Sequence, residues 1–242
     1  MTQIWNTTGL SLHPQVLKYT VGDDYLLDQN IFLPNDIEAS QAHAKMLLKI
    51  GILTVAEFKN LVKGLAEIKG LWEKGGFHVS QKQEDCHTAI EQYLSKKCGK
   101  AGEKIHTGRS RNDQSLVMIR LYTLDQLRLL QAMCAKFISE FKKWGRKNGK
   151  TPMPGYTHMQ KAMPTTVGIW QQSYEHALKD ALVIIKATVN LLNQSPLGSG
   201  AGYGVPIKID RAYTAHELGF GKVQTNPMYC QFSRGMFEAQ AL

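Results

Sequence analysis

Apolar residues recur along most of the chain at steps of three and four, which is the spacing of one face of an α-helix. The clearest stripe starts at Val55 and passes through Phe58, Leu61, Leu65 and Ile68. The same pattern predicts helices over residues 36–50, 55–72, about 84–97, about 113–146, 164–192, 210–218 and 229–242. No segment alternates convincingly between apolar and polar residues, as a half-buried strand would. The pattern therefore predicts an all-α fold.

The predicted helix over 113–146 is unusually long, at about 50 Å for a rise of 1.5 Å per residue. It follows Ser110 and Asp113, whose spacing resembles a capping box. A second long segment opens at Pro164, a residue that the first turn of a helix tolerates. Helices of this length need long partners, as in a bundle shared between subunits. We predict a small helical N-terminal domain over residues 1–110 and the first part of a long-helix bundle domain over 111–242.

Composition and charge limit the possible partners and the cellular location of the protein. The net charge is +9, but the basic residues are dispersed, and the densest run, 142–150, closes the long helix, where cations complement the helix dipole. We therefore expect no nucleic-acid partner, although a polyanionic small substrate stays open. No apolar run of about 18 residues predicts a membrane span, and Met1–Asn6 does not resemble a signal peptide. Four scattered cysteines without a CxxC pair argue against a zinc site and favour the cytoplasm.

Three polar segments interrupt the helical pattern. Residues 106–114 offer two guanidinium groups beside a helix N-terminus, which suits an anion, although a solvated capping loop would look the same. Residues 152–160 place His158 among hydroxyl and amide neighbours, where it is either an acid or base or a structural histidine. Residues 195–204 are rich in glycine, which allows backbone amides to approach a ligand or simply makes a flexible turn. They lack the Lys-Ser/Thr ending of a nucleotide-binding P-loop.

These three segments also carry a family resemblance. The runs HTGRSRNDQ at 106–114, MPGYTHMQ at 153–160 and SPLGSGAGYG at 195–204 resemble argininosuccinate lyase and its lens relative delta-crystallin, within the fumarase/aspartase superfamily. The runs EDCHT at 84–88 and SRG at 233–235 add to the match. The resemblance covers nearly the whole chain and implies the all-α fumarase/aspartase-like fold, of which this chain would hold the N-terminal part.

The resemblance implies a carbon–nitrogen lyase of arginine biosynthesis. Members cleave argininosuccinate to arginine and fumarate by anti elimination, without a metal or organic cofactor. By similarity, His158 is the catalytic acid or base, while Asn112 and Thr157 bind the substrate and Arg234 holds one of its carboxylates. Further candidates for the substrate site are Arg111, Ser110 and His87.

The resemblance also implies a homotetramer in which three subunits contribute to each active site. Asp24 stands where many members carry a substrate-contacting serine, so that contact differs here. The family's serine loop is not among these 242 residues, so we expect an N-terminal portion that is inactive alone. Adenylosuccinate lyase, fumarase and aspartase share the fold and the reaction type and stay as alternatives. A non-catalytic relative of the crystallin kind is a further alternative.

Overall fold

The computed structural model describes residues 13–241, so Met1–Asn6, on which the signal-peptide expectation rests, lies outside the described residues. The described chain is mainly helical, which confirms the all-α prediction. The helices are Pro14–Val21 (α1), Asp24–Leu27 (α2), Leu33–Lys49 (α3), Val55–Glu73 (α4), Cys86–Cys98 (α5), Lys100–Lys104 (α6), Arg111–Asn148 (α7), Val167–Leu192 (α8), Arg211–Glu217 (α9) and Pro227–Phe232 (α10). A π-helical turn, Asp28–Phe32, joins α2 to α3. Among the described helices, none is long and apolar enough to cross a membrane.

The chain forms two compact units. The first comprises the chain up to Tyr122 together with Asn193–Arg234, and the second comprises Thr123–Leu192 together with the segment from Gly235. Helix α7 has 38 residues and contributes to both units, because the boundary falls between Tyr122 and Thr123. At about 57 Å, for 1.5 Å per residue, it is somewhat longer than the pattern predicts.

The first unit is built around α3, α4 and α5. The apolar stripe of α4 is fully buried at Leu61, Leu65 and Ile68, and these side chains belong to one core cluster with residues of α3 and α5. Helix α4 begins where the pattern predicts, at Val55, because Thr54 and Glu57 form a reciprocal capping box. The stripe is therefore buried at its centre, as its spacing predicts, whereas Val55 at its start is 58% exposed.

The second unit contains the remainder of α7, a β-hairpin and α8. The two helices meet at the hairpin end, where Phe141 of α7 packs edge-on against Trp170 and Tyr174 of α8. The backbones of Gly149 and Gly168 are also in close contact there, and a Cβ added to Gly168 would lie 2.8 Å from the backbone oxygen of Gly149. Farther along the helices, Met133 and Val183 are 59% and 66% exposed. The second unit thus leaves large apolar side chains uncovered.

The hairpin shows that the prediction of a chain without strands is wrong between α7 and α8. Strands Pro152–Thr157 (β1) and Gln160–Thr166 (β2) pair antiparallel, and the first unit adds the short parallel pair Gln194–Ser195 (β3) and Lys222–Val223 (β4). Helix α8 consequently begins at Val167 rather than at Pro164. Prolines and polar residues on both faces hide the alternation, and no Asn-Gly or Asp-Gly pair marks the turn.

The predicted helix over 229–242 is also wrong. Helix α10 ends at Phe232, and only a short 3₁₀ turn, Glu238–Ala241, follows; Leu242 lies outside the described residues. Gly235 has a φ of 74°, a left-handed conformation that an α-helix cannot contain. The glycine therefore ends the helical path that the apolar spacing suggested.

We expect Gly102→Ala to destabilise the first unit by about 1–3 kcal/mol, the usual cost of overpacking. A Cβ at Gly102 in α6 would strike the backbone of Leu94 and Ser95 in α5, which cannot move aside as a side chain can. Gly70→Ala is the matched control, because Gly70 lies inside α4 with nothing within 4 Å of the added methyl group. That change should instead stabilise by about 0.5–1 kcal/mol. Urea unfolding measures both, and equal midpoints for the two variants would contradict the prediction.

Candidate active site

The N-terminus of α7 is organised by one buried carboxylate, that of Asp113, which has no exposed surface. Its Oδ1 accepts a hydrogen bond from the backbone N–H of Ser110 at 2.8 Å, as the capping-box spacing predicts. Its Oδ2 accepts two more from the N–H groups of Gly198 and Gly200, at 2.8 and 3.0 Å. Burial raises the pKa of Asp113, and the three N–H groups oppose that rise. Asp113 therefore joins two of the three polar segments.

The hydrogen bonds to Asp113 give the glycine-rich segment, residues 195–204, a structural role. Two of its amides bind Asp113 rather than facing a ligand, and Ser195, Leu197 and Ser199 are buried. Gly198 has a φ of 84°, and a Cβ there would lie 2.5 Å from the side chain of Ile209. The segment is thus a packed loop that contacts the start of α7.

Asn112 and Arg234 lie together, although 122 residues separate them in the sequence. The Arg234 guanidinium donates from Nη2 to the backbone oxygen of Asn112 at 2.9 Å and to its Oδ1 at 3.3 Å. It also donates to Oε1 of Gln231 at 3.2 Å, and Gln231 in turn donates to the carbonyl of Gly200 at 3.3 Å. Both Asn112 and Arg234 are exposed, so their polar groups are accessible beside the helix N-terminus.

Arg111 is held by acidic residues of the same unit. Its guanidinium contacts Glu84 at 2.6 Å and Asp85 at 3.0 Å, and it donates to the hydroxyl of Thr88 at 2.5 Å. Glu84 has a φ of 71°, which costs a non-glycine residue of order 1–3 kcal/mol. The sequence suggests that Arg111 can bind a substrate carboxylate. In the structure, most of its donors instead contact Glu84, Asp85 and Thr88.

His87 forms a buried ion pair with Asp36. Its Nδ1 lies 2.8 Å from Oδ2 of Asp36, and its Nε2 lies 3.2 Å from the hydroxyl of Ser115 in α7. Burial alone would lower the pKa of His87, but the negative charge and hydrogen bond of Asp36 raise it to about 9. The imidazole is therefore cationic at neutral pH and supports α7.

Among the described residues, a group of side chains that could hold a metal ion includes this ion pair. Asp36, Cys86 and His87 each bring one ligand-type atom within 4.8 Å of the others. Their donor types suit a soft divalent ion. However, the thiol of Cys86 donates to Asp36 at 3.5 Å, and Asp36 already pairs with His87. Hydrogen bonds and one ion pair therefore account for this cluster.

Two cavities adjoin the N-terminus of α7. The larger has a volume of about 580 Å³, and its polar lining comes mainly from Asp24, Glu84, Asp85, Arg111, Ser115 and Arg234. The smaller, of about 350 Å³, is lined among others by His87, Glu91, His106, Arg109, Ser110 and Asn112. Burial, followed by the charge of Arg109, lowers the pKa of His106 to about 4. Asp24 thus lies on the wall of the larger cavity.

Thr157 and His158 belong to the second unit, at the tip of the hairpin. Thr157 pairs with Gln160, so His158 and Met159 form a two-residue turn, with φ values of 49° and 63°. Positive φ at both positions defines a type I′ turn, which normally takes Asn and Gly. The side chain of His158 is exposed. The candidate acid or base is therefore presented by a strained backbone.

The role of Asp113 was missed by sequence reasoning. The residue stands in the run at 106–114, but its spacing from Ser110 predicts only a helix cap. Its second oxygen takes partners 85 and 87 residues away, which no local pattern could reveal. The sequence does contain both partners: an acidic residue in one polar segment and a glycine-rich run in another.

Comparison with known proteins identifies relatives among the lyases. A family model described as lyase matches residues 21–234. The argininosuccinate lyase of Thermotoga neapolitana is 44% identical over 98% of this chain and 59% of its own length. That of Sorangium cellulosum is 43% identical over 99% of this chain and 55% of its own length. A solved EDDS lyase variant with bound fumarate, 26% identical, superposes with a TM-score of 0.80 over 97% of this chain and 46% of its own.

A class II fumarase from Schistosoma mansoni shares the helical fold at 15% identity and a TM-score of 0.65. The chain belongs to the lyase family. Within it, the resemblance to argininosuccinate lyase is confirmed by relatives at 40–44% identity. The chain spans little more than half the length of these relatives.

The His87–Asp36 pair predicts how stability depends on pH. Because the pKa of His87 is raised from 6.5 to about 9, its contribution is fully present below pH 6.5 and is lost as the pH rises through 9. The free energy of unfolding should fall over this range by up to about 3 kcal/mol. His43 and His106 have lowered pKa values, so they act on the acid side of pH 6.5. Urea unfolding at pH 6.5 and 9.5 measures the loss.

Asp36→Asn is the matched variant, because it keeps the shape of the side chain and removes the charge that holds the proton on His87. It should be less stable at pH 6.5 and should lose most of the dependence on pH between 6.5 and 9.5. A wild-type stability that is flat across this range would show that His87 is not held as a cation.

Proposed function

We propose that the protein is an argininosuccinate lyase, which eliminates fumarate from argininosuccinate to release arginine. The observation that carries the proposal is the Arg234 guanidinium held beside Asn112 at the N-terminus of α7. Cations and helix N–H groups at one point suit a carboxylate, and the substrate has carboxylates on the part that becomes fumarate. Relatives that carry this name, at 43–44% identity, support the proposal.

The elimination needs a group that moves a proton at the carbon beside the carboxylate. His158 suits this role, because its imidazole is exposed at the tip of the hairpin turn between β1 and β2. Thr157 precedes it on β1 and offers a hydroxyl for substrate binding. Arg234 would meanwhile stabilise the charge that accumulates on the carboxylate as the proton leaves.

We further propose that the full-length protein is a homotetramer whose sites combine segments of several subunits. The exposed apolar side chains of the second unit support an association through α7 and α8. They include Leu129, Met133, Phe137, Val183 and Ile184, which are each more than half exposed. Contiguous apolar surfaces of this kind are rarely left in water.

Fumarate release by the full-length protein tests the activity. Argininosuccinate, adenylosuccinate and aspartate should be supplied in parallel, and we expect product from argininosuccinate alone. Product from one of the other substrates would reassign the lyase. A folded protein that releases no fumarate from any of them would identify a non-catalytic relative.

His158→Asn should lower kcat by roughly 10²–10⁴-fold, the usual contribution of a positioned acid or base. Asparagine tolerates the left-handed backbone at this position, so the turn should persist and the melting temperature should change little. His176→Asn is the control, since His176 lies exposed on α8 away from the turn. A His158→Asn variant that keeps more than about a third of the wild-type kcat would remove His158 from the mechanism.

Arg234→Lys should raise KM and lower kcat/KM by about tenfold or more, because an ammonium group cannot reproduce the bidentate geometry of a guanidinium. The side chain is exposed, so folding should be unaffected. Lys222→Arg on the short strand β4 is a conservative change of an exposed cation for comparison. Kinetics that are unchanged in Arg234→Lys would make Arg234 a surface cation.

A further inference from the structure

Arg120 is a buried cation that neither the sequence pattern nor the family resemblance assigns to a role. It lies in α7 and is fully buried. From Nη1 it donates to the carbonyl of Gln194 at 2.8 Å and to Oε1 of Gln224 at 2.6 Å. From Nη2 it donates to the hydroxyl of Ser233 at 3.3 Å. We propose that Arg120 is a positioning residue that acts through Ser233 to orient Arg234.

The contact with Ser233 is part of a closed network. Ser233 is also fully buried, and its hydroxyl accepts a second hydrogen bond from Nε2 of Gln224 at 2.9 Å. The same hydroxyl donates to the carbonyl of Cys230 at 3.3 Å. Three groups thus fix one side chain at the C-terminal end of α10. These bonds restrain the Ser233 side chain and, through it, the adjoining backbone.

Arg234 follows Ser233 directly and needs such support. Its long side chain is exposed, and its hydrogen bonds to Asn112 and Gln231 lie at the surface. Gly235 comes next, with a φ of 74°, and gives the chain little stiffness on that side. An exposed guanidinium is directed toward one point only when its backbone is held, and here the holding group is Ser233.

Helix α7 supplies both ends of this arrangement. Asn112, which accepts from Arg234, and Arg120, which fixes Ser233, are eight residues apart on the same helix, about 12 Å at 1.5 Å per residue. Both belong to the first unit, as do Ser233 and Arg234. Arg120 therefore sets the position of Arg234 relative to the helix end at which the substrate carboxylate is proposed to bind.

The inference rests on the proposed function of Arg234 and is tested by a double-mutant cycle in the full-length protein. Ser233→Ala removes the hydroxyl that Arg120 and Gln224 hold, with little change in volume. We expect kcat/KM for argininosuccinate to fall about fivefold to twentyfold, mainly through KM. In an Arg234→Ala background the same change should have almost no further effect, because the residue that it positions is absent.

A merely structural role predicts a different result. Ser233→Ala would then lower kcat/KM by the same factor whether or not Arg234 is present, and this outcome would overturn the proposal. Thr214→Val is the matched control, because it also removes a buried hydroxyl from the first unit. It should match Ser233→Ala in melting temperature but leave KM unchanged.

Arg120→Lys provides a second variant at the other end of the contact. An ammonium group can keep one of the three hydrogen bonds but not all of them, so KM should rise as in Ser233→Ala. Should this variant fail to fold, the cycle with Ser233→Ala still decides. If Arg234→Ala itself leaves kcat/KM unchanged, the proposed function of Arg234 fails. If Arg234→Ala is impaired but Ser233→Ala and Arg120→Lys are not, the proposed role of Arg120 is wrong and the proposed function of Arg234 stands.

Discussion

The first unit depends on the burial of one ionised side chain, Asp113. A carboxylate removed from water is unfavourable unless its oxygens accept hydrogen bonds, and Asp113 accepts three from backbone N–H groups. These bonds join the first turn of α7 to the loop that contains Gly198 and Gly200. Through Gln231, which donates to Gly200 and accepts from Arg234, the same loop contacts the candidate substrate residues. The position of the surface residues beside Asn112 therefore depends on the buried carboxylate of Asp113.

Sequence patterns predict the elements that are determined by interactions between residues close together in the chain. The stripe of α4 and the capping residue Thr54 act within one helix, so the spacing of residues suffices to place it. The hairpin after α7 was missed because its prolines and polar side chains obscure the strand pattern, and its turn uses His158 and Met159 where glycine is usual. The last helix was overextended because apolar spacing does not register a left-handed glycine such as Gly235.

The sequence predicts candidate site residues, but it does not show which of their charges are already paired within the protein. The segments around Asn112, His158 and Arg234 were all identified from their residue types and the family resemblance. Which cation stays available for a substrate depends on distant partners: Glu84 and Asp85 occupy Arg111, and Asp36 occupies His87. Buried Arg120 is hidden for the same reason, since its hydrogen-bond acceptors lie 74 or more residues away.

The division of the chain has a consequence for the order of events during synthesis. The first unit is discontinuous, and the second unit's residues 123–192 are inserted into it. The glycines that bind Asp113 follow it by 85 and 87 residues, so at 5–20 residues per second they leave the ribosome roughly 4–17 s later. During that interval the carboxylate has no protein partners in the glycine loop and stays hydrated. The N-terminal helices can therefore collapse early, whereas the end of α7 that bears Asn112 matures only after the inserted hairpin and α8 have been made.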